Sequence, residues 1–192
     1  MLALEFPGSD KLIAMINAAV TGDCQRHTTD CIRNGLSELI RTRAMTLPAC
    51  VHEPVADHYA RRELYRCELT GFSVVAMTWG PGQGTAIHDH SGVWCVEGIV
   101  DGQLEITQYD LRGRDGDRFQ FEPVGTTLAG AGSAGSLIPP HEYHTIRNPS
   151  DSAIAVSLHI YKQALTCCAH FHPAGEGWYT KAERQLGLDE AA

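Results

Sequence analysis

The hydrophobic period of this chain changes near residue 70, and that change limits what it can fold into. Before it, apolar residues recur every three to four positions. Leu12, Ile13, Met15, Ile16 and Val20 follow Gly8-Ser9-Asp10, a helix-start signal. Ile32, Leu36, Leu39 and Ile40 follow a second cap-like cluster, Thr28-Thr29-Asp30, and Pro48 and Pro54 break what comes next. After residue 70, short β-branched and aromatic runs alternate with glycine turns. GFSVVAMTW (71–79) stops at Gly80-Pro81-Gly82, and VWCVEGIV (93–100) stops at Asp101-Gly102, a hairpin dipeptide. QLEITQYDL (103–111) alternates and leads into a charged turn from Arg112 to Asp117. Residues 125–135 read as a Gly/Ala/Ser loop, IAVSLHIY (154–161) as another strand, and WYTKAERQLGL (178–188) as a short C-terminal helix. Such a series of short strands specifies a small barrel or double-sheet sandwich, with two or three N-terminal helices packed on it. The expected class is mainly β.

At 192 residues the expectation is one domain: a mainly helical part (1–68), a β-barrel core (69–175) and a C-terminal extension (176–192). The apolar fraction of 43% is enough for a real core. The net charge of -8, with no Lys/Arg-rich run, argues against nucleic acid or an anionic membrane as partner. No window approaches 18 consecutive apolar residues, and the first residues carry no basic segment ahead of a long apolar stretch. Neither membrane spanning nor secretion is expected. Seven cysteines, an odd number without paired CxxC motifs, read as reduced thiols in a cytoplasm. The sequence leaves open a monomer or a small homo-oligomer.

Ten histidines are present. Any one of them is readily explained as a solvated or hydrogen-bonded side chain. His88-Asp89-His90 differs, because residues i and i+2 of a strand face the same side and can bring two imidazoles to one point. The wider context resembles the cupin superfamily. Gly82, five further residues, His88-x-His90 and then Gly102 resemble its first motif. Pro139, His144 and Asn148 keep the spacing of its second, with His141 in place of the family glycine. The resemblance implies a cupin jelly-roll β-barrel with a metal held inside. Where the superfamily offers a glutamate as fourth ligand, this chain has Cys95. Three neutral imidazoles are therefore expected around the metal, a site whose positive charge favours a thiolate. Imidazoles suit Zn, Cu, Fe and Ni alike.

WGPGQGTAIHDHSGVWC (79–95) and SLHIY (157–161) are similar to the cysteine dioxygenase family of thiol dioxygenases, over about Tyr59 to Cys168. The resemblance implies Fe(2+) on His88, His90 and His144. It implies a Ser-His-Tyr relay at Ser157, His159 and Tyr161, whose spacing places all three on one strand face. Cys95 matches the cysteine that animal members join to the relay tyrosine by a thioether, where many bacterial members carry glycine. It lies an odd number of residues beyond His90, so Ser91-Gly92 must bend the chain to bring it inward. Tyr59-x-Arg61 matches the family's carboxylate-binding segment, although a one-residue slip would substitute Arg62. Trp79 matches a tryptophan lining the site.

The implied reaction adds both atoms of O2 to the sulfur of a small thiol, L-cysteine giving cysteine sulfinate. Related 3-mercaptopropionate dioxygenases carry glutamine at the arginine position, so Arg61 favours cysteine; mercaptosuccinate stays open. Another metal-dependent cupin enzyme, a ligand-sensing cupin and a purely structural barrel are the competing readings. The first explains the histidines but not Ser157-His159-Tyr161 together with Tyr59-x-Arg61; for the second there is no appended DNA-binding segment; the third leaves the histidines incidental. His141, His170, His172, Cys167 and Cys168 take no role here.

Overall fold

The computed structural model describes residues 5–22 and 24–190. The first four and last two residues, which the domain reading included, lie outside the described residues.

Helix α1 (Ser9–Val20) starts where the sequence placed it, with Asp10 in its first turn against the positive end of the helix dipole. Gly8 before it has φ 85°, and a Cβ there would collide with the Ala44 carbonyl, so glycine is required twice over. Helix α2 (Gln25–Arg41) starts three residues ahead of the expected cap. Thr28 and Thr29 are buried in its first turn, with hydroxyls on the carbonyls of Ala19 (3.2 Å) and Arg26 (3.0 Å). A threonine that bonds back into the helix looks in sequence like one that caps it. A 3-10 turn, Ala49–His52, follows.

The strands are β1 (Ala60–Arg66), β2 (Ser73–Trp79), β3 (Ile87–His88), β4 (Cys95–Asp101), β5 (Gln103–Asp115), β6 (Arg118–Gly130), β7 (Ala134–Leu137), β8 (His144–Arg147), β9 (Ala155–Tyr161), β10 (Cys167–Pro173) and β11 (Trp178–Gln185). One sheet runs β1-β2-β9-β4-β7, all neighbours antiparallel. The other six strands close in the order β10-β11-β6-β5-β8-β3, with β3 paired to both β8 and β10.

The protein is mainly β with helices on one flank, as expected, but three local readings need correction. Strand β1 lies inside the third read as helical. Residues 125–130 belong to β6, and residues 134–135 to β7, not to a loop. The C-terminal run is strand β11, paired with β10 and β6, not a helix. Strand β11 and the second half of β6 are largely exposed on both faces, so no alternation of apolar and polar residues marked them.

Strands β2 and β9 are buried along their whole length because each of their faces meets something different. Val74, Ala76, Val156, Leu158 and Ile160 pack against Leu12, Ile16, Ile32, Leu36 and Ile40 of the helices. Burying each such side chain contributes about 1.5–3 kcal/mol. Helix α2 crosses β4 at Gly98, where a Cβ would stand 2.7 Å from Leu36 Cδ2. The alternate residues, Met77, Trp79, Ser157, His159 and Tyr161, point away from the helices into the interior. Among the described residues no helix is long and apolar enough to cross a membrane.

Candidate active site

The short strand β3 ends on His88, and its Cα partner in β8 is His144. His90 follows two residues later, and the ligand atoms of the three imidazoles lie within 4.8 Å of one another. Two of their other ring nitrogens have hydrogen-bond acceptors. His88 Nδ1 faces the Ala86 carbonyl at 3.1 Å, and His144 Nδ1 the Glu142 carbonyl at 2.8 Å. His90 Nδ1 is 3.4 Å from Glu142 Oε2, which also accepts the His90 backbone N–H. Such partners orient metal-ligating imidazoles and fix which nitrogen is free. Burial, followed by the neighbouring imidazoles, holds His88 and His144 well below the ordinary histidine range. They are neutral at pH 7, and His144 Nε2 is buried with no partner. Neutral, converging, unpartnered imidazole nitrogens are the donor set a divalent transition metal takes.

The odd count from His90 to Cys95 is resolved by the backbone. Ser91 (φ 52°) and Gly92 (φ 76°) are both left-handed, and Val93 N–H bonds back to the His90 carbonyl at 3.1 Å. This tight reversal resets the alternation, so Cys95 begins β4 facing inward. Tyr161 is its Cα partner in β9, and the tyrosine hydroxyl is within hydrogen-bonding reach of the thiol. Burial pushes both groups well above their usual ranges.

Ser157 Oγ and His159 Nε2 are 2.9 Å apart, and Trp79 Nε1 donates to Ser157 Oγ at 2.9 Å. The His159 ring lies nearly parallel to Tyr161, with centroids 6.0 Å apart; its Nδ1 faces Cys95 Sγ at 3.9 Å and Glu97 Oε2 at 3.6 Å. The hydrogen-bonded part of the expected relay is thus Ser157-His159, which Trp79 joins, and Tyr161 stands beside it, across from Cys95. Glu97 was not expected. Replacement of the superfamily glutamate by Cys95 implied a site without a carboxylate, yet two residues further along β4 the same face supplies one. Burial raises the Glu97 carboxyl to about 8.

Strand alternation separates the two candidate arginines. Arg61 lines the pocket that holds His88, His90, His159 and Tyr161. Its guanidinium donates to the carbonyls of Gly187 (2.8 Å) and Leu165 (3.2 Å), which leaves N–H groups and its charge available. Arg62 turns the other way, to the Glu190 carbonyl, Thr78 Oγ1 and the Glu53 carbonyl. Tyr59 stacks on Trp79 with centroids 4.5 Å apart and lines the same pocket. The pocket is narrow, about 20 Å³, roughly the room of one water. Leu165, Cys168 and Leu186 complete its wall.

The model of the family described as cysteine dioxygenase type I matches residues 56–174. The chain belongs to the cysteine dioxygenase family. Among curated relatives, it is 29% identical over 102 residues to cysteine dioxygenase type 1 of Danio rerio, and 26% identical over 100 residues to that of Rattus norvegicus. Each match covers 52% of this chain and 49% of the relative, so the chain spans about half the length of the curated relatives it matches. Among solved structures, an RmlC-like cupin protein from Desulfovibrio desulfuricans aligns with a TM-score of 0.42 at 18% identity, covering 62% of this chain and 99% of that one.

Glu97 and Glu142 are the polar residues that the sequence reading missed. A glutamate inside VWCVEGIV is a signal, because a charge at an inward position of an apolar strand needs a reason. Glu142 carries no such mark; its backbone carbonyl meets His144 and its carboxylate meets His90, which only the fold brings beside it. Leu186 and Gly187 were assigned to a helix; instead Leu186 forms pocket wall and the Gly187 carbonyl accepts from Arg61.

Proposed function

We propose that this protein is a non-haem iron(II) thiol dioxygenase that adds both atoms of O2 to the sulfur of a small thiol carboxylate, most simply L-cysteine to cysteine sulfinate. One observation carries the reading. His88 and His90 of a buried three-histidine cluster, a guanidinium with no carboxylate paired to it among the described residues, and Tyr161, the cross-strand partner of Cys95, line one small pocket.

His88, His90 and His144 would hold the Fe(2+), which when bound supplies the Lewis acidity that keeps a thiol as thiolate and the redox chemistry that activates O2. The rest falls to the chain. Arg61 binds the substrate carboxylate, and Tyr59 shapes its place against Trp79. An arginine fork holds a carboxylate in a fixed plane, which sets the sulfur at a defined distance from the imidazoles. Ser157 and Trp79 fix the His159 ring. Tyr161 presents a neutral hydroxyl, able to donate a proton or a hydrogen bond toward the oxygen-bearing side of the site. At about 20 Å³ the pocket has room for about one water. The thiol supplies the electrons, so no external reductant is needed. A thioether between Cys95 and Tyr161 would lock the tyrosine ring in place. The free thiols throughout the described chain accord with a reducing cytoplasm.

The test is oxygen uptake by the iron-loaded protein with cysteine, 3-mercaptopropionate, cysteamine and mercaptosuccinate. Uptake with a carboxylate-bearing thiol, at one O2 per sulfinate formed, is the expected result. A protein that takes zinc alone and consumes no O2 with any of the four is not a thiol dioxygenase.

A further inference from the structure

Arg184 has no task in the reaction as derived above. It stands on β11 as the direct partner of Cys168 in β10, and directly opposed residues leave a sheet on the same face. Cys168 lines the histidine pocket, so Arg184 turns toward that side of the barrel. Its guanidinium lies 6.0 Å from the centre of the Tyr59 ring. Tyr59, Arg61, Arg184 and Leu186 line a second cavity, of about 160 Å³, and all of these except Arg184 also line the histidine pocket. The two spaces therefore meet at shared walls, and Arg61 faces both. Burial raises the Tyr59 hydroxyl and the Cys168 thiol, and at each of them the charges of Arg61 and Arg184 oppose it.

Two guanidinium groups that face one cavity repel each other unless an anion lies between them. The chain has acids to spare, 23 Asp and Glu against 15 Lys and Arg. Yet among the described residues neither guanidinium is paired with a carboxylate: that of Arg61 rests on two backbone carbonyls, and that of Arg184 on the Tyr59 ring. Asp189, the acid in the cavity wall, is engaged elsewhere. One of its oxygens accepts the Arg61 backbone N–H at 2.8 Å, and the other meets His58 Nε2 at 3.0 Å. The histidine pocket has room for about one water, so a substrate with its sulfur there extends into the larger cavity, between two cations.

We propose that Arg184 is a second carboxylate-binding residue, and that the site takes a small thiol with two carboxylates, one held by Arg61 and the other by Arg184. The inference rests on the dioxygenase reading and narrows its substrate class. Cysteine brings an ammonium toward a cavity that already holds two guanidinium groups, and 3-mercaptopropionate leaves Arg184 without an anion.

The experiment measures O2 uptake by the iron-loaded wild type, Arg184→Ala and Arg184→Lys with mercaptosuccinate, cysteine and 3-mercaptopropionate. Calorimetry adds the binding of succinate and propionate, which carry no thiol. Arg184 is exposed on β11, so neither variant disturbs the core. The expected kcat/KM of the wild type is at least about tenfold higher for mercaptosuccinate than for the other two thiols. Arg184→Ala should raise the KM for mercaptosuccinate about tenfold or more, with kcat and the KM for 3-mercaptopropionate within about twofold, and Arg184→Lys should recover part of the loss. Succinate should bind the wild type more tightly than propionate and lose that advantage in Arg184→Ala. A preference for cysteine, a KM for mercaptosuccinate unchanged in Arg184→Ala, or an equal rise for 3-mercaptopropionate would overturn the assignment. The two conclusions fail separately. Thiol-dependent O2 uptake that ignores Arg184 sinks this inference and leaves the dioxygenase reading intact. Succinate binding that depends on Arg184, with no uptake for any thiol, does the reverse.

Discussion

Glu97 and His159 are direct partners across the β4–β9 ladder, and Glu97 Oε2 lies 3.6 Å from His159 Nδ1. The relation orders the protons of the buried network. Trp79 Nε1 can only donate, so Ser157 accepts from it and directs its own proton to His159 Nε2. His159 then carries its proton on Nδ1, facing the carboxylate. Ser157→Ala would strand both the indole N–H and the imidazole nitrogen without a partner. Each unsatisfied buried group costs about 1–3 kcal/mol. A lower midpoint of urea unfolding with an unchanged slope is the expected outcome, and an unaltered midpoint would show that the network holds nothing together.

Arg61 and Arg62 are adjacent and equally buried, yet they serve different ends. Arg61→Ala removes the only guanidinium that lines the histidine pocket among the described residues, and a charge-assisted bond to carboxylate contributes about 1.5–3 kcal/mol. The KM for a thiol carboxylate should rise about tenfold to a hundredfold, while cysteamine, which has no carboxylate, should be little affected. Arg62→Ala leaves the pocket untouched and releases the Glu53 and Glu190 carbonyls. It should lower stability with little change in KM. Steady-state kinetics on both variants decides the matter, and equal effects on KM would remove Arg61 from its assigned place.

The metal-free protein should show an unusual dependence of stability on pH. His88, His144, His159 and His170 are all held below 6.5, in each case chiefly by burial. Below that value the unfolded chain binds protons that the folded chain refuses, so stability falls as pH drops from about 6.5. Glu97 acts in the opposite sense. Its folded value of about 8 lies above its ordinary 4.5, so it holds a proton that the unfolded chain releases, and stability falls as pH rises toward 8. His58, raised by its bonds to Asp189 and Asp57, adds to that alkaline loss. Four histidines against one carboxyl make the acid limb the steeper, with the optimum near 6.5. Denaturant midpoints between pH 5 and 8 measure it, and a flat profile would mean that these groups are solvated.

How much of this was legible in the sequence depended on whether a residue's neighbours were local. The His88-x-His90 spacing, the Ser157-His159-Tyr161 period and the helical stripes are patterns within one element, and periodicity exposes such patterns. Strand β11 and the second half of β6 were missed because their exposed faces carry no apolar rhythm. The true start of α2 was missed because buried threonines imitate a cap. The surroundings of Glu97 are set by partners in β7, β8 and β9, brought beside it only by sheet register. The same holds for the choice between Arg61 and Arg62, which hangs on a single step of strand alternation. The Ser91-Gly92 reversal was anticipated from parity alone, and the two left-handed residues supply it.

That reversal sets up the last prediction. It places Cys95 directly across from Tyr161, both fully buried, with sulfur and hydroxyl in contact range. Joining Cys95 Sγ to the tyrosine ring removes two hydrogens, and iron with O2 can accept the two electrons released. Aerobic turnover of the iron-loaded protein should therefore yield a fraction whose intact mass is lower by two hydrogens. Tryptic digestion should recover the peptides of Cys95 and Tyr161 as one species. Cys95→Ala should abolish that species and leave the fold intact, since removing one sulfur from a packed interior costs little beside the core of Val96, Leu158 and Ile160. Its kcat should fall modestly if the bond only steadies the tyrosine, and Tyr161→Phe should lose far more. Equal losses in the two variants would mean that the thioether itself, and not the hydroxyl it positions, carries the effect.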